Sequence, residues 1–146
     1  MITRKTAAYI FRREKQQNEL LVFAHRDFPD VPIQVPGGTV DEGEEEVDAL
    51  FREVKEEAGL VNLVLVRKLG THQFYWREIN GEVERHFFLL EAPTEVADEW
   101  EHEVFGNGID SGLVFSFCWI KVTDDLELAG DLGKFLSRES TPELYV

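Results

Sequence analysis

The sequence holds little that would staple, anchor or embed it. Its single cysteine, Cys118, forbids an intramolecular disulfide and points to a reducing compartment. The apolar neighbours of that residue mark it as a core thiol. No run approaches the ~20 apolar residues of a membrane-spanning helix, and residues 7–11 form too short an apolar run for a signal peptide. Basic residues are scarce: 15 Lys and Arg stand against 29 Asp and Glu, a formal net charge of -14. That imbalance argues against nucleic-acid polymers and anionic membranes, whose own charge would repel the chain. A small phosphorylated ligand escorted by a metal ion escapes the repulsion. Repeats, low-complexity tracts and linkers are also missing, so residues 1–146 read as one soluble, cytoplasmic domain with a core of its own.

What is present is concentrated in residues 37–60, GGTVDEGEEEVDALFREVKEEAGL. Over residues 45–58, Val47, Leu50, Phe51, Val54 and Ala58 recur at the i, i+3, i+4, i+7, i+11 spacing of a helix with one buried stripe. On the adjoining flank, at ~100° per residue, Glu53, Glu56 and Glu57 cluster beside the small Ala49. Like charges at these spacings weaken a helix by ~0.2–0.5 kcal/mol per pair, so the trio needs a compensating cation. Carboxylate oxygens with no nearby Cys or His suit a hard divalent ion, Mg2+ first and Mn2+ next. Before the helix, Pro36-Gly37-Gly38 can bring backbone close to a metal or an anion. A solvated acidic face is the plain alternative, and it accounts for Glu45, Glu46 and Asp48. It accounts for neither the flanking glycines nor Arg52, whose guanidinium can hold a carboxylate in a fixed orientation.

Gly38, five residues, Glu44, seven residues, then Arg52-Glu53-Val54, any residue, Glu56-Glu57, any residue and Gly59-Leu60 resembles the complete signature of the Nudix hydrolases. The resemblance implies an α/β/α sandwich with a mixed β-sheet between helices. It also implies a metal-dependent hydrolase that attacks a diphosphate linkage in a nucleoside diphosphate derivative. By the same resemblance Glu53, Glu56 and Glu57 hold the metal together with the Gly38 carbonyl, while Arg52 and Glu44 orient Glu53. An acidic residue from a loop beyond the signature often completes such sites or acts as general base. Glu101 and Glu103 are the candidates for that role, and Glu53 is the base if the loop supplies none. The fold also serves ligand-binding modules and diphosphate-ester isomerases, but the intact trio favours the hydrolase. Relatives include monomers and homodimers.

Around this stretch, residues 6–12 and 20–25 read as two strands, and Arg26 at the end of the second is a candidate phosphate contact. Residues 33–35 read as a short strand feeding the glycines. Gly59 is placed to cap the helix and turn the chain into a strand over 61–69. Residues 71–79 and 82–91 flank Asn80-Gly81, a strong hairpin signal. Tyr75 and Trp76 on that hairpin are the rings best placed to stack on a nucleobase. Residues 92–112 show no period and read as a loop. Residues 113–122 are apolar enough for a strand buried on both faces, with Trp119 in the core. A last helix, capped by Asp124 or Asp125 and carrying Leu126, Leu132, Phe135 and Leu136, is expected to cover the sheet, although Gly130 and Gly133 weaken it.

Overall fold

The structure is a computed structural model that describes residues 2–106 and 110–146. In chain order it runs β1 (Ile2–Arg12), β2 (Glu19–His25), β3 (Gly37–Thr39), α1 (Glu46–Ala58), β4 (Val64–Trp76), β5 (Gly81–Glu91), β6 (Glu99–Glu103) and β7 (Val114–Lys121). The strands form one mixed sheet in the order β4-β5-β1-β2-β7-β6, with β3 branching off β1. The β1–β5 pair is parallel and the others are antiparallel.

Alternation along β1 decides what covers each face, because successive side chains of a strand point to opposite sides. Ala8 and Ile10 join Phe88, Leu90, Phe23 and Phe117 on the face where α1 packs through Leu50, Val54 and Ala58. Ala7, Tyr9 and Phe11 join Phe87, Leu89 and Val22 on the other face, under Leu128, Leu132, Phe135 and Leu144. The outcome is an α/β sandwich with a helix on one side. The other cover differs from the expected final helix: residues 123–141 run as turns, followed by a short 3-10 helix, Pro142–Tyr145. Gly130 takes φ +54°, which interrupts a right-handed helix, and the apolar side chains still reach the sheet. The backbone of this cover is pinned from below. The buried Tyr9 hydroxyl donates to Leu132 O and accepts from Phe135 N–H at 3.2 Å.

Several local expectations shift. Residues 61–69 and 71–79 merge into the single strand β4, which takes up register shifts between Leu65 and Arg67 and between Lys68 and Gly70. It closes on β5 through a 3-10 turn, Arg77–Ile79, with Asn80 at φ +47°. Residues 33–35 give only an isolated bridge from Gln34 to Phe23, and the strand lies instead at Gly37–Thr39. Inside the expected loop 92–112 lies β6, paired with β7; the Asn107, Gly108 and Ile109 part of that loop is outside the described residues. On β7 one face is buried, Trp119 included, and the other, with Cys118, is half-buried. Among the described residues no helix is long and apolar enough to cross a membrane.

The position of the glycines follows from a fork in the sheet. At its C-terminal end β1 pairs with β2 through Phe11 and Arg12. Nearer its start it pairs with β3 instead, Lys5 with Thr39, Thr6 with Gly38 and Ala7 with Gly37. Gly37 and Gly38 are thereby wedged between β1 and the helix that follows.

Tyr9→Phe removes both hydrogen bonds to the cover while keeping the ring. Leaving the half-buried Leu132 carbonyl and Phe135 amide without this partner should cost ~1–3 kcal/mol. Urea unfolding checks this, and the expected result is a lower midpoint at unchanged slope.

Candidate active site

Helix α1 places the acidic flank because its other side is fixed. Ala49, Leu50 and Val54 are fully buried, the first turn carries Glu46 and Asp48 where the helix dipole favours negative charge, and Gly59 ends it at φ +72° with its N–H on Lys55 O at 2.9 Å. The last carbonyls are satisfied from β6 and the residues after it. Trp100 Nε1 donates to Ala58 O at 2.9 Å, His102 Nε2 lies 3.1 Å from Glu56 O, and Phe105 N–H also reaches Glu56 O.

Arg52 organises the acidic flank. Its Nε and Nη2 hold Glu44 as a two-point fork at 2.9 and 3.0 Å, Nη2 also donates to Thr39 O at 3.0 Å, and Nη1 reaches Glu53 at 3.0 Å and Glu56 at 3.2 Å. Glu44 further accepts from Asp41 N–H at 2.9 Å. The guanidinium, with that amide, pulls the Glu44 carboxyl down to about 2. Glu53 goes the other way. Burial pushes it up to about 7 against the pull of Arg52, and the charge of Glu56 adds to the rise. Glu57 is only 6% exposed. Burial raises it well above the carboxylate range, the Gly37 N–H on its Oε1 at 2.9 Å opposes this, and Glu53 and Asp110 add repulsion.

The glycines allow this closeness. A Cβ on Gly38 would stand 2.2 Å from the Glu53 carboxyl carbon, and one on Gly37 would stand 2.1 Å from Thr6 O. Gly106, from the loop after β6, approaches Glu56 in the same way, at 2.9 Å from Oε2.

These groups open on a cavity of about 740 Å3. Gly38, Arg52, Glu53, Glu56 and Glu57 line it together with Lys5, Arg85, Trp76, Asp110 and Asp131. The donor set fits a hard divalent ion in its chemistry, with three carboxylates, two of them raised by burial and mutual repulsion, beside a glycine carbonyl. Among the described residues, no three acidic, thiol or imidazole side chains already converge on one point.

Of the residues singled out from sequence, the structure brings Gly38, Arg52, Glu53, Glu56, Glu57 and Trp76 to this cavity, and Glu44 is held behind Arg52. Four others lie outside its lining. Arg26 is exposed at the end of β2 and paired with Asp27 at 3.2 Å and Glu101 at 3.5 Å. Tyr75 alternates with Trp76 along β4, so it faces away, half-exposed, with its hydroxyl on Asn80. Glu101 and Glu103 occupy the exposed positions of the edge strand β6, where Glu101 accepts from Ser116. The acid that the downstream loop does bring to the cavity is Asp110. Lys5, Arg85 and Asp131 line it as well, unmarked in the sequence: strand alternation alone does not say which face of β1 and β5 meets the cavity, and Asp131 lies in the turns of the C-terminal cover.

Residues 2–138 match the NUDIX domain model. The chain belongs to the NUDIX family. Among its NUDIX relatives, diphosphoinositol polyphosphate phosphohydrolase 2 of Rattus norvegicus is 37% identical over 101 residues, 69% of this chain and 52% of that protein. Diphosphoinositol polyphosphate phosphohydrolase 3-alpha of Mus musculus is 34% identical over 101 residues, 69% of this chain and 57% of that protein. The chain spans about half the length of the curated relatives it matches. The NUDIX domain of Shewanella oneidensis NrtR, solved with ADP ribose, has a TM-score of 0.66 over 100% of this chain and 90% of its own at 18% identity, a likeness of fold. The C. elegans Ap4A hydrolase is 26% identical, with a TM-score of 0.51 over 66% of this chain and 74% of that one.

The raised Glu53 sets a pH dependence of stability. A carboxyl whose native pKa lies above its unfolded value keeps protons that the unfolded chain has released, so stability falls as pH rises from 4.5 through about 7. For Glu53 the loss is on the order of 3 kcal/mol. Denaturant unfolding in EDTA should show the wild type less stable at about pH 8 than at about pH 5.5, and Glu53→Gln more stable than wild type at the higher pH. Identical stability of the two proteins at the higher pH would mean that Arg52 fully offsets the burial.

Proposed function

We propose that the chain is a divalent-cation-dependent hydrolase that cleaves a diphosphate linkage in a nucleoside diphosphate derivative by attack of water on phosphorus. The observation that carries this reading is the arrangement around Arg52. One guanidinium fixes Glu53 and Glu56 at the mouth of a cavity while Glu57 sits buried beside them. Family membership supports the reading, as do the printed names of the relatives, which are phosphohydrolases and a hydrolase.

Glu53, Glu56, Glu57 and the Gly38 carbonyl would hold the ion. Mg2+ is the ion proposed, with Mn2+ able to replace it, because the donors are all oxygens. Once bound, it would neutralise charge on the diphosphate and lower the pKa of the attacking water. Arg52 keeps Glu53 in one orientation through Nη1, and Glu44 keeps Arg52 in place through the fork. Glu53, held in one orientation at the cavity by Arg52, is the general base of this proposal. Asp110 is the base supplied by the loop if Glu53 is committed to the ion. Trp76 offers a ring for a nucleobase. The positions of Glu101, Glu103, Arg26 and Tyr75 favour no contact with substrate. Substrate is a small molecule, neither a nucleic-acid polymer nor a membrane, and the protein works in the cytoplasm as a monomer or homodimer.

The test is product release from nucleoside di- and triphosphates, nucleotide sugars and dinucleoside polyphosphates with Mg2+, read through a coupled phosphatase. Turnover that EDTA abolishes and Glu57→Gln reduces by at least roughly 10²-fold is the expected result. Ligand binding with no turnover in Mg2+ or Mn2+ would favour a binding module instead, and conversion without new phosphate monoester would favour an isomerase.

Gly38→Ala probes the same site from the backbone. The atoms nearest the added Cβ are those of the Glu53 carboxyl group, the far end of a side chain, so the fold should tolerate it. Turnover should fall by roughly 10²-fold, because a displacement near 1 Å at a catalytic group has that effect. Thermal melts read beside the rates separate the two contributions.

A further inference from the structure

Two cations share one wall of the cavity without the partners that burial calls for. Lys5 and Arg85 are directly opposite each other in the parallel β1–β5 ladder, so their side chains leave the sheet on the same face from neighbouring strands. Arg85 is 14% exposed, and its buried Nε makes no hydrogen bond, with Asp131 Oδ1 standing 3.4 Å away. That carboxylate is shared, its other oxygen lying 3.1 Å from His72 Nδ1. Lys5 Nζ has the Thr39 hydroxyl at 3.2 Å and the Trp76 ring at 5.5 Å. Among the described residues no carboxylate comes within 4.0 Å of it. Burial pulls both groups below their ordinary values, and for Lys5 the neighbouring Arg85 adds to the fall, while the more distant charges of Asp110, Glu53 and Glu57 oppose it at Lys5 and Asp131 opposes it at Arg85. A chain of net charge -14 thus keeps two mutually repelling, partly desolvated cations side by side, an arrangement that an incoming anion would relieve.

We propose that Lys5 and Arg85 form a second anion subsite, which takes a phosphate that the substrate carries in addition to the diphosphate being cleaved. The proposal rests on the hydrolase reading and narrows its substrate class to diphosphates bearing at least one further phosphate. The placement fits. Lys5 lies two residues along β1 from Ala7, which pairs with Gly37, whose N–H holds Glu57. The subsite therefore begins about 7 Å along the strand from the carboxylate wall, a distance that separate groups of one substrate can bridge. Asp131 faces Arg85 through Nε, and no hydrogen bond among the described residues engages Nη1 or Nη2, which leaves the fork geometry that matches phosphate oxygens. Trp76, beside Lys5, gives the same wall an aromatic surface.

Matched pairs of diphosphates isolate the effect of one phosphate: coenzyme A with dephospho-coenzyme A, NADPH with NADH, and ATP with ADP. Affinities measured calorimetrically in EDTA, where hydrolysis does not compete, give a ratio for each pair, and turnover with Mg2+ is read separately. The wild type should bind the phosphorylated member at least tenfold tighter in one pair or more. Lys5→Gln and Arg85→Gln should each bring that ratio below about threefold, and Arg85→Lys should restore part of it. A purely structural Arg85 would lower stability and leave the ratio alone, and Lys5→Gln still tests the subsite if Arg85→Gln does not fold. Ratios near one in every pair, or a ratio that survives in the folded variants, would overturn the subsite. Turnover without a phosphate preference leaves the hydrolase standing and removes the subsite, whereas a preference that collapses in the variants without turnover keeps the subsite and removes the hydrolase.

Discussion

The site depends on one guanidinium set among carboxylates in a strongly acidic protein. Without Arg52, Glu44, Glu53 and Glu56 would repel one another across a few ångströms, and the partly buried Glu53 would have no opposite charge beside it. With it, one acid is driven strongly acidic and its neighbour is left near neutrality, a separation made by unequal shares of the same cation and unequal burial. The arrangement is conditional on backbone too. Arg52 also donates to Thr39 O, so the glycine strand β3 and the helix α1 are held together by the residue that holds the acids.

The electrostatic contrast within the cavity is built by the sheet. The carboxylate wall comes from α1, whereas the cationic wall comes from β1 and β5, neighbouring interior strands of the sheet and among its best buried. Since β3 pairs with β1 as well, both walls are referenced to the same strand. The C-terminal cover enters the site through Asp131 and is itself fixed by Tyr9 of β1.

Much of this was legible in the sequence, for a physical reason. The helix announces itself through period, cap and charge pattern together, and Gly59 and the Asn80-Gly81 reversal do what their left-handed backbones require. The C-terminal segment misled because Leu126, Leu132, Phe135 and Leu136 satisfy a core-facing pattern without helical hydrogen bonds, a demand met partly by Tyr9, far away in sequence. Strand β6 was hidden since its edge position leaves Glu99, Glu101 and Glu103 polar, so only Trp100 and His102 carry the inward signal. The loop expected to supply a further acid holds Glu101 and Glu103 on the solvent side of β6, whereas Asp110 beyond it lines the cavity. Tyr75 and Trp76 cannot both face the cavity, since adjacent strand residues point opposite ways, and it is Trp76 that lines it.

The fork in the sheet has a kinetic corollary. Lys5 to Ala7 must meet β3 on one side and β5 on the other, and the latter pairing joins Ile2 to Glu82 across more than half of the chain. Such distant, parallel strand association is entropically late, because the intervening segment must be closed into a loop before any contact rewards it. The acidic helix can form early from its own local signals, yet it remains a charged, unpaired element until β1 is inserted. The cavity is therefore completed late along the folding route: a nascent chain that ends before β5 carries every residue of the signature but not Arg85, Val104, Phe105, Gly106, Asp110 or Asp131, which close the cavity around it.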